Sequence, residues 1–317
     1  MINPILTRSG GLAGIALLSL APMAAMAVDW TAVPSYSIML LYPAQTSFEW
    51  SMTPKDHSAA KKFREGKNCK ACHIDEEKKY GVPLAEGKRW EPTPIPGKRG
   101  AVPLTLQFAH DDANFYLRAQ WKDASTSGSR KMDPDFPSKL TMILDDGKVS
   151  TFTRAGCWAV CHDDQTNMAS AKGAERQKYL ARSRKKIRRS GGGDALHPRG
   201  TLDKMLEAGK VVEFWQAGLK PGAAPVVSDG YILEKRHESP GTAVSADALF
   251  QDSKWTVTLS RPLKASRPGH KDLIAGKTYT VGFSLHEDHA ATRFHQVSWE
   301  FSLALDGGKA DFVANRH

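Results

Sequence analysis

Short runs of alternating apolar and polar residues dominate the chain beyond residue 100. Residues 102–108 and 115–121 alternate on either side of the polar turn 111–114, a pattern typical of a β-hairpin. Residues 140–144 and 149–152 flank an Asp-Asp-Gly turn and predict a second hairpin. Further strands are expected at 211–215, 231–233, 255–259, 279–285 and 297–305. Short strands separated by Gly, Pro and Asp turns predict a mainly β fold and favour a β-sandwich with short helices.

Helical patterns are few and short. Residues 58–64 are compatible with a helix, and residues 201–208 begin at a threonine that can cap a helix and stop before Gly209. Residues 174–187 are rich in cations and predict an amphipathic helix that ends at a Ser-Gly-Gly-Gly run. Upstream, the apolar run 37–42 predicts one buried strand.

The N-terminus has the three parts of a secretory signal peptide. Arg8 supplies the positive charge, residues 12–20 form a short apolar run, and Ala25-Met26-Ala27 is a small-residue cleavage site. The apolar run is too short for a membrane anchor, which needs about 20 apolar residues. We therefore expect residues 1–27 to be a cleaved signal peptide and the mature chain to be periplasmic.

A further boundary is predicted within the mature chain. Residues 90–103 contain four prolines and two glycines, a composition that interrupts regular structure. We expect an N-terminal segment, residues 28–100, and a β-sandwich domain, residues 101–317. The whole chain is long enough for one large domain or two small ones.

All four cysteines lie in two short motifs, and the first is Cys69-Lys-Ala-Cys72-His73. A Cys-x-x-Cys-His run attaches a c-type haem: the two thiols form thioethers, and the histidine becomes an axial ligand of the iron. The competing interpretation is a zinc knuckle, to which His57 would add a fourth ligand. His57 is the only histidine close upstream of the motif, so we expect it to be the second axial ligand.

The second motif is Cys157-Trp-Ala-Val-Cys161-His162, with one extra residue between its cysteines. We expect it to bind a second haem, with His162 as an axial ligand, because the extra residue can be looped out. A redox disulfide, another metal site, and attachment through one thioether or none remain alternatives, and four exported cysteines can also form two disulfides. The densest group of further ligands is His286, His289 and His295; Met132, Met142 and Met168 are weaker candidates.

Four stretches of the chain resemble a known haem domain: 111–118, 156–164, 212–217 and 297–299. Residues 102–305 are similar to the cytochrome c-552/DMSO reductase-like haem-binding domain, also called the ethylbenzene dehydrogenase-related domain. The resemblance implies a β-sandwich holding one haem, with the first haem outside it in an N-terminal extension. The best-known members are electron-transferring gamma subunits of molybdenum enzymes, which hold b-type haem by methionine and lysine and lack cysteines.

This chain departs from that pattern by carrying a cysteine-histidine motif, as the c-type branch does. The family's lysine falls shortly before a Val-Ser-x-Trp-like stretch, and here His295 lies in the similar place, two residues before Val297. The resemblance therefore implies His162 and His295 as axial ligands of the second haem, with His286 or His289 as substitutes.

The charge of the chain is unevenly distributed. Its formal charge is +10, and loss of Arg8 with the signal peptide leaves +9. Eight cations and no acid lie between Arg176 and Arg189. This stretch is either a solvated helix face or, near Arg182–Arg189, a docking surface for an acidic redox partner. Nucleic acid is not an expected partner of an exported haem protein.

These features together predict a periplasmic dihaem c-type cytochrome rather than an enzyme. It would transfer single electrons between a partner oxidoreductase and a component of a respiratory chain. One alternative is a haem enzyme, a peroxidase or small-oxide reductase, with one open iron site. The other is a permanent haem subunit of a molybdenum-enzyme complex.

Overall fold

The computed structural model describes residues 28–46, 48–88, 90–123, 132–162, 178–185 and 195–317. The predicted signal peptide and Met168 lie outside these residues. Residues 174–177 and 186–187 of the predicted basic helix and the side chains of Cys161 and His162 also lie outside them.

Strands account for most of the regular structure in the described residues. They are β1 (Ser35–Leu41), β2 (Ala101–His110), β3 (Asn114–Lys122), β4 (Ser138–Asp145), β5 (Val160–His162), β6 (Lys178–Leu180), β7 (Val212–Leu219), β8 (Val226–Ile232), β9 (Arg236–Glu238), β10 (Ser245–Gln251), β11 (Lys254–Pro262), β12 (Thr278–His286), β13 (Gln296–Val297), β14 (Phe301–Leu305) and β15 (Phe312–Arg316). The mainly β prediction is confirmed.

The helices are short. They are α1 (Phe48–Ser51), α2 (Ala60–Arg64), α3 (Lys70–His73), α4 (Glu77–Ala85), α5 (Phe152–Ala155) and α6 (Arg199–Glu207). In addition, 3₁₀ turns occupy Gly156–Ala159 and Ala181–Ser183. The helices predicted at 58–64 and 201–208 are confirmed as α2 and α6. None of the helices in the described part of the chain is long and apolar enough to span a bilayer.

Thirteen of the described strands form one sheet. Its main path runs β10-β11-β3-β2-β1-β13-β12-β4-β7-β8-β9. β12 also pairs with β14, β14 lies parallel to β15, and β15 lies parallel to β2. These pairings close a ring of six strands, so hydrogen bonding does not divide the strands into the two separate sheets of a sandwich. The remaining pair, β5 and β6, stands apart.

Buried residues alternate with more exposed ones along β2, β3 and β11, because each strand covers the main core with one face. β4 and β7 are buried almost throughout because a second core covers their other face. Met142 and Trp215 point into the main core, whereas Ile143 and Phe214 join the second one. The N-terminal segment is not separate from this arrangement: β1 pairs with β2 and β13 inside the main sheet.

The predicted hairpin between residues 140–144 and 149–152 is wrong in its second strand. Both edges of β4 are already occupied by β7 and β12. The Asp145 carboxylate accepts hydrogen bonds from the N–H groups of Gly147 and Val149, which turns the chain away from the sheet. Val149 and Phe152 are buried in the second core, where Phe152 begins α5.

The helix predicted at 174–187 is also wrong where the structure describes it. Residues Lys178–Leu180 form β6, and Leu180 N–H donates to Leu233 O at 2.7 Å. Tyr179, Leu180 and Ala181 are consecutive and all buried, which an amphipathic helix would not allow.

The second core brings the N-terminal segment against the second cysteine motif. Phe48 and Phe63, from α1 and α2, pack with Phe152, Cys157 and other residues of this cluster. Their rings make an edge-to-face contact with centroids 5.8 Å apart. The two motifs, about 90 residues apart in sequence, therefore lie in one region of the fold.

Candidate functional site

One helical turn aligns the chemistry of the first motif. Cys69 is the N-cap of α3, and the N–H groups of Cys72 and His73 donate to its carbonyl oxygen at 3.1 and 2.9 Å. Residues three and four positions apart share one face of a helix. Cys69, Cys72 and His73 therefore face the same space, as attachment to a single planar group requires.

That space is a cavity of about 410 Å³. Its volume lies within the range of about 300–1,000 Å³ typical of cofactor and ligand pockets. Cys69, Cys72 and His73 line this cavity. His57, from the segment between α1 and α2, also lines it. Its apolar lining includes Leu41, Trp50, Phe63, Tyr80, Leu84, Trp90, Trp158 and Trp299.

His57 and His73 approach each other inside this cavity, with ring centroids 6.1 Å apart and planes at 43°. The Nδ1 atom of His57 contacts Ser51 O at 3.0 Å, and that of His73 contacts Glu76 Oε2 at 3.1 Å. Both partners can only accept a hydrogen bond, so both Nδ1 atoms carry the proton. In the neutral ring this tautomer leaves Nε2 with its lone pair, the arrangement found in metal-binding histidines.

The spacing of these two rings would suit a haem iron held by both imidazoles. Metal–imidazole bonds are about 2 Å long, so two imidazoles on opposite sides of one metal place their ring centres about 6 Å apart. The buried Trp299 Nε1 makes no hydrogen bond within the described part of the chain. A bound group that carries carboxylates, as haem does, supplies an acceptor for such an indole.

The geometry disfavours the zinc interpretation. Among the described residues, no group of three or more His, Cys, Asp or Glu side chains is arranged to hold a metal ion. Burial raises the pKa of the Cys69 thiol well above its usual value, and the nearby Glu300 carboxylate adds to the effect. Zinc takes thiolates, whereas a thioether needs no charge on sulfur. Cys69 and Cys72 are also free of disulfides.

Glu76 is the electrostatic partner of His73. Hydrogen bonds from Lys79 and then from His73 lower the pKa of Glu76 to about 2, so its carboxylate is charged at any ordinary pH. His73 also packs edge-on against Tyr80, with ring centroids 5.1 Å apart. The contacts with Glu76 and Tyr80 thus help to fix the imidazole.

Direct hydrogen bonds link the segments that carry the two motifs. Cys69 N–H donates to Arg154 O at 2.8 Å, just ahead of the second motif. Lys70 N–H donates to Glu300 Oε1 at 2.9 Å. Gly156 packs so closely against Glu300 that a Cβ atom would lie 2.8 Å from its backbone nitrogen, and its φ of +51° also favours glycine.

The second motif has a different local structure. Cys157 lies in the 3₁₀ turn and Cys161 in β5, so this motif does not form the helical turn of the first. The Cys157 side chain is buried, and its Sγ donates to Phe283 O on β12 at 3.4 Å. The structure does not describe the side chains of Cys161 and His162, and their roles stay predictions.

The three candidate histidines near the C-terminus are only partly brought together. His286 and His295 stack with centroids 4.8 Å apart, and both contact Thr292 O, through Nε2 and Nδ1 respectively. His289 instead contacts Asp133 O through Nδ1 at 2.7 Å. Met142 is a core residue, and Met132 packs against the third core cluster.

Two tryptophans at this site were not identified from the sequence. Trp299 stacks on His73 with centroids 5.6 Å apart, and Trp158 stacks on Trp299 at 4.6 Å. Trp158 follows Cys157 directly in the second motif, which is the one signal in the sequence that could have drawn attention to it.

Comparisons with known proteins identify a family and two related cytochromes. The sequence matches the family described as Ethylbenzene dehydrogenase over residues 71–248 and 241–298. It is 32% identical to cytochrome c-552 of Stutzerimonas stutzeri over 286 residues, 90% of this chain and 89% of that protein. It is 24% identical to cytochrome c-551 of Rhodocyclus tenuis over 291 residues, 91% of this chain and 99% of that protein.

Similarity to solved structures is weak. A family 9 carbohydrate-binding module from Caldicellulosiruptor kristjanssonii aligns with 64% of this chain and 69% of its own at 10% identity, with a TM-score of 0.30. That value carries no argument about fold or ligand. The family match and the 32% identical cytochrome show that the chain belongs to the ethylbenzene dehydrogenase-related cytochrome c family.

Proposed function

We propose that this protein is a periplasmic dihaem c-type cytochrome that transfers single electrons between a partner oxidoreductase and a respiratory chain component. One observation carries the proposal: His57 and His73 face each other across a cavity that Cys69 and Cys72 also line. The names of the two cytochrome relatives support it.

Four side chains would hold the first haem. Cys69 and Cys72 would tether it through thioethers, and the Nε2 atoms of His57 and His73 would fill both axial positions. The bound haem supplies an iron that changes between ferric and ferrous states by one electron. With His57 and His73 as its two ligands, the iron would have no open position for a substrate.

The surrounding residues keep the ligands in place while the charge changes. Ser51 O and the Glu76 carboxylate each fix the Nδ1 side of one ligand. Phe63 and Trp299 are almost fully buried in the wall and exclude water from their side of the cavity. A rigid, dry site needs little rearrangement when one electron enters or leaves.

Cys157, Cys161, His162 and His295 are the proposed second haem site. The hydrogen bonds favour His295 over His286. His295 contacts Thr292 O through Nδ1, the arrangement also seen in His57, whereas His286 uses Nε2 for the same oxygen. His289 shares the Nδ1 arrangement and remains a substitute.

The partner and the compartment are inferred from the sequence. Residues 1–27 have the pattern of an export signal, and Arg182–Arg189 is the proposed docking surface for an acidic partner. Within that stretch Lys185 is exposed, whereas Arg184 stacks on Tyr179, with its guanidinium carbon 4.2 Å from the ring centre. Arg182 donates to Lys148 O at 3.2 Å.

Carbon monoxide distinguishes a carrier from a haem enzyme. We expect the reduced wild-type protein to stay six-coordinate and low-spin and not to bind carbon monoxide promptly. His57→Ala should remove one ligand of the first iron, so this variant should bind carbon monoxide at once. His197→Ala, a control outside the cavity, should behave as wild type. Prompt binding by the wild type would instead favour a peroxidase or small-oxide reductase.

The second site has its own test. His295→Ala should convert one of the two haems from low-spin to high-spin, because it removes one axial ligand. His286→Ala is the matched control, since it removes the stacked neighbour and should leave both haems low-spin. An unchanged spectrum in His295→Ala would refute this ligand assignment without affecting the first site.

A further inference from the structure

A continuous stack of three rings joins the first haem site to the second motif. His73 stacks on Trp299 with centroids 5.6 Å apart and planes at 25°. Trp299 stacks on Trp158 with centroids 4.6 Å apart and planes at 27°. Trp158 is the residue after Cys157, so the stack ends one peptide bond from a proposed haem attachment point.

The stack is held rigidly. Trp299 is 3% exposed, and the residue before it donates its N–H to Phe283 O at 2.9 Å. Trp158 donates its Nε1–H to Thr46 O at 3.3 Å. Cys157 Sγ contacts the same Phe283 carbonyl at 3.4 Å, so the second motif and the link between β13 and β14 that carries Trp299 share one anchor.

Packing alone does not require this arrangement. Leu, Ile or Phe can close the wall of a cavity, and none of them leaves a buried polar group. Trp299 instead has a buried indole N–H that makes no hydrogen bond within the described part of the chain. A carboxylate of a bound haem would supply the missing acceptor, so Trp299 would contact the haem as well as the His73 ring.

We infer that Trp299 and Trp158 form an aromatic bridge that carries electrons between the two proposed haems. The inference rests on the proposed dihaem function. One electron leaves the ferrous iron at one site, which becomes ferric, and reduces the ferric iron at the other. The electron passes through stacked π systems, and no bond is formed or broken and no proton is needed.

The test measures electron exchange between the two haems in the half-reduced holoprotein, by NMR line broadening or pulse radiolysis. We expect Trp299→Leu and Trp158→Leu to slow the exchange at least several-fold, and Trp299→Phe to slow it less. Trp30→Leu, which changes a tryptophan outside both the cavity and the stack, should keep the wild-type rate. Absorption spectra and both midpoint potentials are recorded for every variant, because loss of packing would change those instead.

The outcomes separate the bridge from the dihaem proposal. Wild-type exchange rates in both Leu variants, with both haems intact, would overturn the bridge and leave the dihaem function standing. A wild-type protein with only one haem would overturn the dihaem function and the bridge together. If Trp158→Leu prevents attachment of the second haem, Trp299→Leu decides the question, because Trp299 lies outside both motifs.

Discussion

The environment of His73 determines how strongly it would donate electrons to an iron. Its Nδ1–H points at the Glu76 carboxylate, which two hydrogen bonds keep ionised. A charged acceptor on the far nitrogen makes an imidazole a stronger ligand, and stronger donation stabilises the ferric state. The redox potential of the first haem should therefore depend on Glu76.

We expect Glu76→Gln to raise the midpoint potential of the first haem, because it removes this negative charge. The rise should be on the order of tens of millivolts, where 59 mV is a tenfold change for a one-electron couple. Spectroelectrochemical titration measures it. Glu86→Gln, an exposed acid at the end of α4, is the control, and an equal rise in both variants would contradict a specific role for Glu76.

The residues of the first site differ in how far the sequence could identify them. Cys69, Cys72 and His73 follow from a local motif, and His57 from its position upstream; the structure places all four around one cavity. Glu76, Trp158 and Trp299 could not be assigned, because contacts between α3, the second motif and the start of β14 depend on the whole fold. Ligation itself remains a prediction.

At the scale of elements, Glu300 connects α3 to the main sheet. It lies just before β14, accepts the Lys70 N–H, and packs against Gly156. Burial raises the pKa of Glu300 to about 7, although the Lys70 hydrogen bond opposes the shift. The folded protein therefore keeps a proton on Glu300 between about pH 4.5 and 7 that the unfolded chain has released.

Stability should consequently fall as the pH rises through this window, since the folded state binds the extra proton. Glu300→Gln should remove that loss and make the protein more stable than wild type at pH 8, by about 3 kcal/mol at 1.36 kcal/mol per pKa unit. Urea unfolding at pH 5 and pH 8 measures the effect. If wild type and variant lose stability in parallel, Glu300 does not titrate as described.

The elements also mark the limits of local patterning. Alternation identified β2, β3 and β11 because each has one face on the core and one towards solvent. Local patterning failed at 149–152, where the Asp145 carboxylate ends β4, and in the described part of 174–187; apolar residues of both stretches belong to the second core. The sequence pattern does not predict the pairings of β14 and β15 that close the ring of six strands.

At the scale of the whole molecule, the surplus of positive charge bears on partner choice. Charge reversal of Lys185, an exposed member of the proposed docking surface, should slow association with an acidic redox partner. The effect should shrink as salt increases, because the Debye length falls from about 10 Å at 0.1 M to about 3 Å at 1 M. Stopped-flow reduction at several ionic strengths measures it.

Lys309→Glu is the matched control for this prediction. It makes the same change in net charge at an exposed position just before β15. We expect it to have a smaller effect than Lys185→Glu. Equal slowing by both variants would mean that total charge alone matters, and the docking surface near Arg182–Arg189 would be rejected.

The most direct test of the account is the mass of the exported, processed protein, followed by peptide mapping. Two covalently attached haems should add the mass of two haem groups to the chain, one on the peptide with Cys69 and Cys72 and one on the peptide with Cys157 and Cys161. All four thiols should then resist alkylation. An unmodified chain with four reactive cysteines would contradict the proposed electron carrier.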